Sequence, residues 1–178
     1  MKKILSVLLA AAFGMTLAFS ASAIEDPDRV GSLTVGAHGA FYPGVGGNVF
    51  GDYVLVDSWW KGHFTVGAQA AFNVYVNRPG YGLTVSDTRI CLVPRATYGL
   101  NITPQFEVHA GVLLGAGYEK GRITDGSSSI YTAADGIRLV YGEILGARFF
   151  FTDNFGVSAE LNYATYMPWL NVGIALRF

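Results

Sequence analysis

Gln105-Phe106-Glu107-Val108-His109-Ala110-Gly111-Val112-Leu113-Leu114-Gly115-Ala116-Gly117-Tyr118-Glu119 alternates along its whole length. Phe106, Val108, Ala110, Val112, Leu114, Ala116 and Tyr118 fall on even positions. The odd positions hold glycine or polar residues except for Leu113. Successive side chains of a strand point to opposite faces, so a period of two marks a strand with one apolar face and one small or polar face. Here one face stays consistent over 15 residues.

The same pattern recurs on both sides of this stretch. Between His63 and Asn73, Phe64, Val66, Ala68, Ala70 and Phe72 alternate with Thr65, Gly67, Gln69, Ala71 and Asn73. Between Gly156 and Asn162, Val157, Ala159 and Leu161 alternate with Ser158, Glu160 and Asn162. At the C-terminus Leu170, Val172, Ile174, Leu176 and Phe178 alternate with Asn171, Gly173, Ala175 and Arg177. Leu33–Phe41 and Arg89–Leu100 read the same way, whereas Tyr53–Trp60 departs from tidy alternation and leaves the register of its strand open. Glycine-rich and polar clusters at Pro43–Asp52, Lys61–Gly62, Asn77–Asp87, Asn101–Pro104, Lys120–Asp135, Thr152–Phe155 and Thr165–Pro168 read as the connections, by turns long and short. They divide the chain into eight strands.

The first 23 residues form a separate unit: basic Lys2 and Lys3, an apolar stretch from Ile4 to Phe19, then Ala21-Ser22-Ala23 as a small-x-small cleavage site. This is the plan of a secretory signal peptide, which makes 24–178 the mature domain. No later run is long and apolar enough for a helical membrane span. The whole chain of 178 residues is 51% hydrophobic and only 14% charged, too apolar for a disordered segment. Twelve basic residues against 13 acidic ones give a net charge of -1, so no basic face for nucleic acid is expected. The single Cys91 excludes an internal disulfide and reads as a small buried apolar residue.

These observations predict an all-β fold, an eight-stranded antiparallel up-and-down transmembrane β-barrel with its apolar face turned to lipid. Aromatic residues gather near strand ends, with Trp59, Trp60, Phe106, Phe149 and Phe151 by the short turns and Tyr118, Tyr166 and Trp169 by the long loops, which predicts two girdles. Pro94 interrupts its strand, by a bulge or a locally broken ladder. Glu143 shares parity with Tyr141 and Leu145, and a bulge between it and Arg148 is expected to turn it inward.

An eight-stranded barrel is just wide enough for side chains to fill, so no large pore is expected. The inward parity collects Arg89, Arg95, Glu107, Glu119, Arg148 and Glu160, and also His38 and His109. A three-residue turn at Asp153-Asn154-Phe155 would set Arg148 opposite Glu160 as a cross-strand ion pair. No catalytic residue, metal site or cofactor is expected: His38, His63 and His109 lack a serine two residues on, and Ser86-Asp87 has no histidine beside it in sequence. Two alternatives stay open, a lipid A modifying enzyme on the same scaffold and a secreted soluble barrel that binds an apolar ligand.

Val93–Tyr98, Thr103–Gly111, Leu145–Val157, Ala159–Leu161 and Leu170–Phe178 resemble the outer-membrane protein β-barrel domain family, small barrels of the OmpX and OmpA-domain type. The resemblance covers the later part of the chain better than the first two strands. It implies residence in the outer membrane as a monomer, with outer-membrane lipids and lipopolysaccharide as surroundings. It also implies that Leu170, Val172, Ile174, Leu176 and Phe178 form the terminal signal read by the outer-membrane insertion machinery, after escort by periplasmic chaperones. A structural or surface-interaction role follows, through envelope integrity, adhesion or host-factor binding by the loops.

Overall fold

The computed structural model describes residues 28–178 apart from 61, 81–82 and 125–129. The signal segment 1–23 and its cleavage site lie outside the described residues. Eight strands follow in order: β1 Leu33–Phe41, β2 Val45–Trp59, β3 Gly62–Gly80, β4 Leu83–Thr103, β5 Phe106–Thr124, β6 Ile130–Phe150, β7 Phe155–Ala164 and β8 Leu170–Arg177. Each pairs antiparallel with the next, and β1 closes on β8 from Thr34↔Arg177 to Phe41↔Leu170. The sheet is therefore a closed barrel. Closure removes the edges whose backbone groups would otherwise lie unpaired.

The alternation of each strand sorts its side chains inside and out. On β5, Glu107, His109, Leu113 and Glu119 are buried while Val112, Leu114 and Tyr118 are exposed. The outward set over the barrel wall is apolar: Ile90, Leu92, Leu139, Leu145, Val157, Leu161, Val172 and Ile174 are all exposed. So continuous an apolar belt is not a surface made for water.

Strand lengths are unequal. β3 to β6 run for 19, 21, 19 and 21 residues, against 9, 15, 10 and 8 for β1, β2, β7 and β8. At the end opposite the short turns, β3 passes its last β2 partner at Val74, and β6 takes up β7 only at Gly142. One side of the barrel therefore rises as a four-stranded sheet above the rest.

Three of the connections expected to be long are corrected by this sheet. β2 already begins at Val45, β3 and β4 extend to Gly80 and back to Leu83, and β5 and β6 extend to Thr124 and back to Ile130. Where both faces of a strand are polar, composition looks like a loop although the ladder continues. In β2 the glycines serve close approach: a Cβ at Gly46 would lie 2.0 Å from the Phe72 carbonyl oxygen. Only Tyr42-Pro43-Gly44 turns there, with Gly44 at φ +83°.

Further details depart from the expected ones. Between the paired Phe150 and Gly156 the β6–β7 connection holds five residues, Phe151–Phe155, so Arg148 faces Ser158 and Glu160 faces Gly146; the expected Arg148–Glu160 register is off by two. No bulge separates Glu143 from Arg148, since β6 keeps one register with β7 from Gly142 to Phe150. Five residues apart, the two already have opposite parity, and Glu143 points outward between Val112 and Tyr163. The β6 bulge sits instead opposite Gly121/Arg122. Pro94 breaks the β5 ladder between Leu92↔Ala116 and Arg95↔Leu113 without shifting the register. The uneven pattern of Tyr53–Trp60 is explained by two irregularities, at Val54/Val56 and Val56/Trp59.

Candidate functional site

Inward parity alone places charges in the barrel, and rows of cross-strand neighbours decide whether they fit. One row reads His63, Gly99, His109, Gly146, Glu160 across β3 to β7. Each glycine vacates the space a ring needs: a Cβ at Gly99 would lie 2.2 Å from His63 Nε2, and one at Gly146 would lie 2.4 Å from His109 Nε2. Alternating large and absent side chains lets the lumen close without a gap.

At the short-turn end this packing holds a network of ion pairs. Arg95 donates to both carboxylate oxygens of Glu160, Nη2 to Oε1 at 2.7 Å and Nη1 to Oε2 at 3.1 Å, and Nη1 also reaches Gln69 Oε1 at 3.0 Å. Arg148 donates to Asp52 Oδ2 and, at 3.2 Å, to Glu107 Oε1 directly across the β5–β6 ladder. Its Nη2 stands 3.7 Å from Glu160 Oε1, so the two are diagonal members of one network. Phe50 lies between the guanidiniums, its ring centroid 4.9 Å from Arg95 Cζ and 5.1 Å from Arg148 Cζ. His109 bridges two carboxylates, Nδ1 at 3.2 Å from Glu107 Oε1 and Nε2 at 3.1 Å from Glu160 Oε1.

The lead-in to β1 closes this end. Asp28, 1% exposed, accepts from Asn101 Nδ2 at 3.2 Å and Arg177 Nη1 at 3.3 Å, and its Oδ2 stands 4.0 Å from His63 Nε2. Burial pushes the Asp28 carboxyl above its ordinary pKa, Glu107 adds to the rise, and His63, Arg177 and the Asn101 hydrogen bond oppose it. Arg177 in turn stacks on Phe150, with Cζ 4.0 Å from the ring centroid. In this layer four buried carboxylates (Asp28, Asp52, Glu107, Glu160) meet three buried guanidiniums (Arg95, Arg148, Arg177) among the described residues.

Above the charged layer the lumen turns apolar. Ala71, Cys91, Val93, Leu113, Val140, Ile144 and Met167 pack together, with Ala164 and Tyr166 against them. Met167 and Tyr166 come from the β7–β8 turn, which folds over the lumen. Tyr166 is thereby removed from the girdle expected for it: at φ +61° its backbone turns the ring inward, where the Arg89 guanidinium covers it at 5.4 Å. A second, smaller polar layer follows, in which Glu119 accepts from Arg89 Nε at 2.9 Å and from Arg138 Nε at 3.3 Å.

Arg89, Arg95, Glu107, Glu119, Arg148 and Glu160 therefore all point inward, divided between two layers. His38 is buried beside Asn48, Nδ1 to Oδ1 at 3.1 Å, and Asn48 donates to Asn171 at 2.8 Å. Phe50, Asp52 and Asp28 belong to the main network and were not legible as such: the first two sit in the stretch that reads as a loop, and Asp28 precedes every periodic segment. Parity opposite to that of the outward Val49 and Tyr53 was the signal that could have found Phe50 and Asp52. On the outside, Trp59, Trp60, Phe149 and Phe151 are exposed and Phe106 is half-buried at the short-turn end, while Tyr118 and Trp169 are exposed toward the other. Trp59 meets Phe64 and Tyr98 edge-on, and Trp169 meets Tyr42 and Tyr163. Leu170, Val172, Ile174 and Phe178 of the last strand and its end are exposed, and Leu176 is half-buried.

No family model and no curated protein matches the sequence. Solved structures do match. Ail, the attachment invasion locus protein of Yersinia pestis, superposes with a TM-score of 0.52 at 17% identity, over 83% of this chain and 97% of that one. A crystal structure of Ail with the heparin analogue sucrose octasulfate gives 0.51 at 17% identity, over the same 83% and 97%. A major outer membrane protein from Thermus thermophilus gives 0.59 at 14% identity, over 83% and 99%. At these identities what is shared is the architecture, and this chain has the fold of a small eight-stranded outer-membrane β-barrel.

Proposed function

We propose that the protein resides in the outer membrane as a monomeric barrel, its short turns in the periplasm, and acts as an envelope or surface-interaction component without enzymatic activity or a large pore. The observation that carries this reading is the inversion of the sheet: exposed Val, Leu, Ile and Phe around the wall, with ion pairs and an apolar plug filling the interior. A soluble carrier needs the reverse, a polar exterior around a cavity. The raised sheet of β3 to β6 then stands outside the cell, where a rigid scaffold presents recognition residues. On its outer face Lys120 and Arg122 lie just beyond Tyr118 and are exposed, at a depth suited to the anionic head groups of lipopolysaccharide or to a surface polyanion. Ail, bound in a crystal to a heparin analogue, is an example of such a fold in contact with a polyanion.

Four measurements test it. The protein is expected in the outer-membrane fraction, shifting mobility between unboiled and boiled samples in detergent; a mature chain that is monodisperse in plain buffer would refute it. Cells displaying the protein are expected to bind immobilised heparin more than cells lacking it, and Lys120→Glu with Arg122→Glu to abolish the difference. Unchanged lipid A masses with and without the protein distinguish this reading from a lipid-modifying enzyme. The last strand would serve as assembly signal, so deleting Phe178 is expected to lower the amount of folded barrel in the membrane.

A further inference from the structure

We infer that the outer face of the raised sheet holds one phosphoryl group, that of an anionic lipid of the surrounding leaflet, in a groove formed by Ser86, Thr88, Lys120 and Arg122. This deepens the reading above and rests on its placement of the raised sheet outside the cell. The groove has a volume of about 390 Å³, and Ile90 and Tyr118 complete its lining. It lies along the β4–β5 ladder, whose register sets Arg122 opposite Ser86, Lys120 opposite Thr88 and Tyr118 opposite Ile90. Two successive rows of one face, about 7 Å apart, therefore each pair a cation with a hydroxyl. A phosphoryl group matches this set: its charge takes the ammonium and the guanidinium, and its oxygens accept from both and from the two hydroxyls.

Lys120 and Arg122 are exposed and form no ion pair among the described residues. The outward acid beside them is Asp135, opposite Lys120 on the β6 side, away from the groove; it accepts from the Tyr118 hydroxyl. Asp87 and Glu119, next in sequence to Thr88 and Lys120, point to the inner face and hold Arg89. What identifies the ligand as a lipid is the change of chemistry in one step down the strands. Below the two cationic rows come Ile90, Tyr118 and Ile137, then Leu92, Ala116 and Leu139, all exposed and none charged. A lipid with its head in the groove lays its acyl chains on these rows. A sulfated polysaccharide gains from the cations and has nothing to set against the apolar surface beneath them.

The test uses the mature chain folded in micelles of a nonionic detergent, which bring no phosphate of their own. Lipid A with its phosphates, and the same lipid after enzymatic dephosphorylation, are titrated and the bound lipid is counted by native mass spectrometry. One phosphorylated lipid per barrel is expected, held at least about tenfold more tightly than the dephosphorylated one. Thr88→Val keeps the shape and removes the hydroxyl, and is expected to weaken that binding about three- to tenfold. Lys120→Gln with Arg122→Gln is expected to abolish the preference. All three side chains face away from the lumen, and the heat-dependent gel shift verifies each barrel. Inorganic phosphate in excess is expected to leave the lipid bound; displacement by it would make this a free-anion site and overturn the lipid. Equal affinity for the two lipids, or a preference that survives the double glutamine variant, overturns the site. A preference lost in that variant and untouched by Thr88→Val overturns the groove in favour of diffuse attraction. Heparin binding by whole cells is read separately: its presence with no lipid discrimination sinks the phosphoryl site alone, and lipid discrimination without it sinks the polyanion alone.

Discussion

The two main layers of the lumen share one parity, one barrel and one set of strands, and their chemistry is opposite. The layer around Arg95, Arg148, Glu107 and Glu160 is ionic, and the layer around Val93, Leu113, Val140 and Ile144 is hydrocarbon. Burial of the second is favourable in proportion to area, roughly 25 cal/mol per Å². Burial of the first is favourable only while every charge keeps its partners, since desolvation of each ion costs several kcal/mol. The difference shows what each layer is for. The apolar plug fills the lumen with packed hydrocarbon, whereas the ionic layer fixes the register. A slip of one residue would carry Arg95 and Arg148 to the lipid face, where a cation costs about 2–4 kcal/mol at mid-depth and less toward the short-turn rim, where Arg148 lies. The same slip would cost the plug much less, because Val and Leu are at home on either face.

The contrast breaks most sharply at Arg148. Arg148→Ala leaves Glu107 without its direct cross-strand partner and Asp52 with Arg95 alone, Nε at 3.0 Å from Oδ1, and is expected to destabilise the barrel by about 3–5 kcal/mol, measured as urea unfolding in lipid vesicles. An unchanged unfolding midpoint would show that the network holds no such pairing. Arg148→Met combined with Glu107→Gln should recover part of the loss, because the penalty lies in the abandoned charge more than in the missing contact. Gly146→Ala probes the same layer through shape. The added Cβ would sit 2.4 Å from His109 Nε2 in a ring fixed between two carboxylates, and about 1–3 kcal/mol is expected to be lost. Trimming one methyl from the plug by Ile144→Val should cost only about 0.5–1.5 kcal/mol. If Ile144→Val were the more damaging of the two, the ranking of the layers would be reversed.

Much of this was legible in alternation. A period of two sorts Arg95, Glu107, Arg148 and Glu160 to one face, because the pleat leaves no other choice. Which charge meets which was not legible. Arg95 finds Glu160 at a separation of 65 residues across the lumen, and that depends on strand stagger, which no local pattern encodes. The Arg148–Ser158 register turned on whether three residues or five separate the last paired positions of β6 and β7. Asp52 and Phe50 were hidden because glycines that allow close strand approach have the same composition as glycines that turn a chain. Tyr166 was misplaced because a turn residue has no parity.

Glu143 is the smallest and most informative test of the contrast, being the charge that alternation put on the wrong side for an ionic layer. It points outward between Val112 and Tyr163, and Tyr163 packs against Trp169 at 5.9 Å between centroids, at the end of the short strands β7 and β8. That height is the rim of the apolar belt, not its middle. A carboxylate there pays little, since charged side chains on the lipid face cost about 0–1 kcal/mol near an interface. Glu143→Leu is therefore expected to stabilise the barrel by less than about 1 kcal/mol in vesicle unfolding. A loss of stability would mean that Glu143 has a partner at the rim. A gain well above that bound would place the residue deep in the hydrocarbon, and the membrane would then have to sit higher on the barrel, covering part of the raised sheet assigned here to the cell exterior.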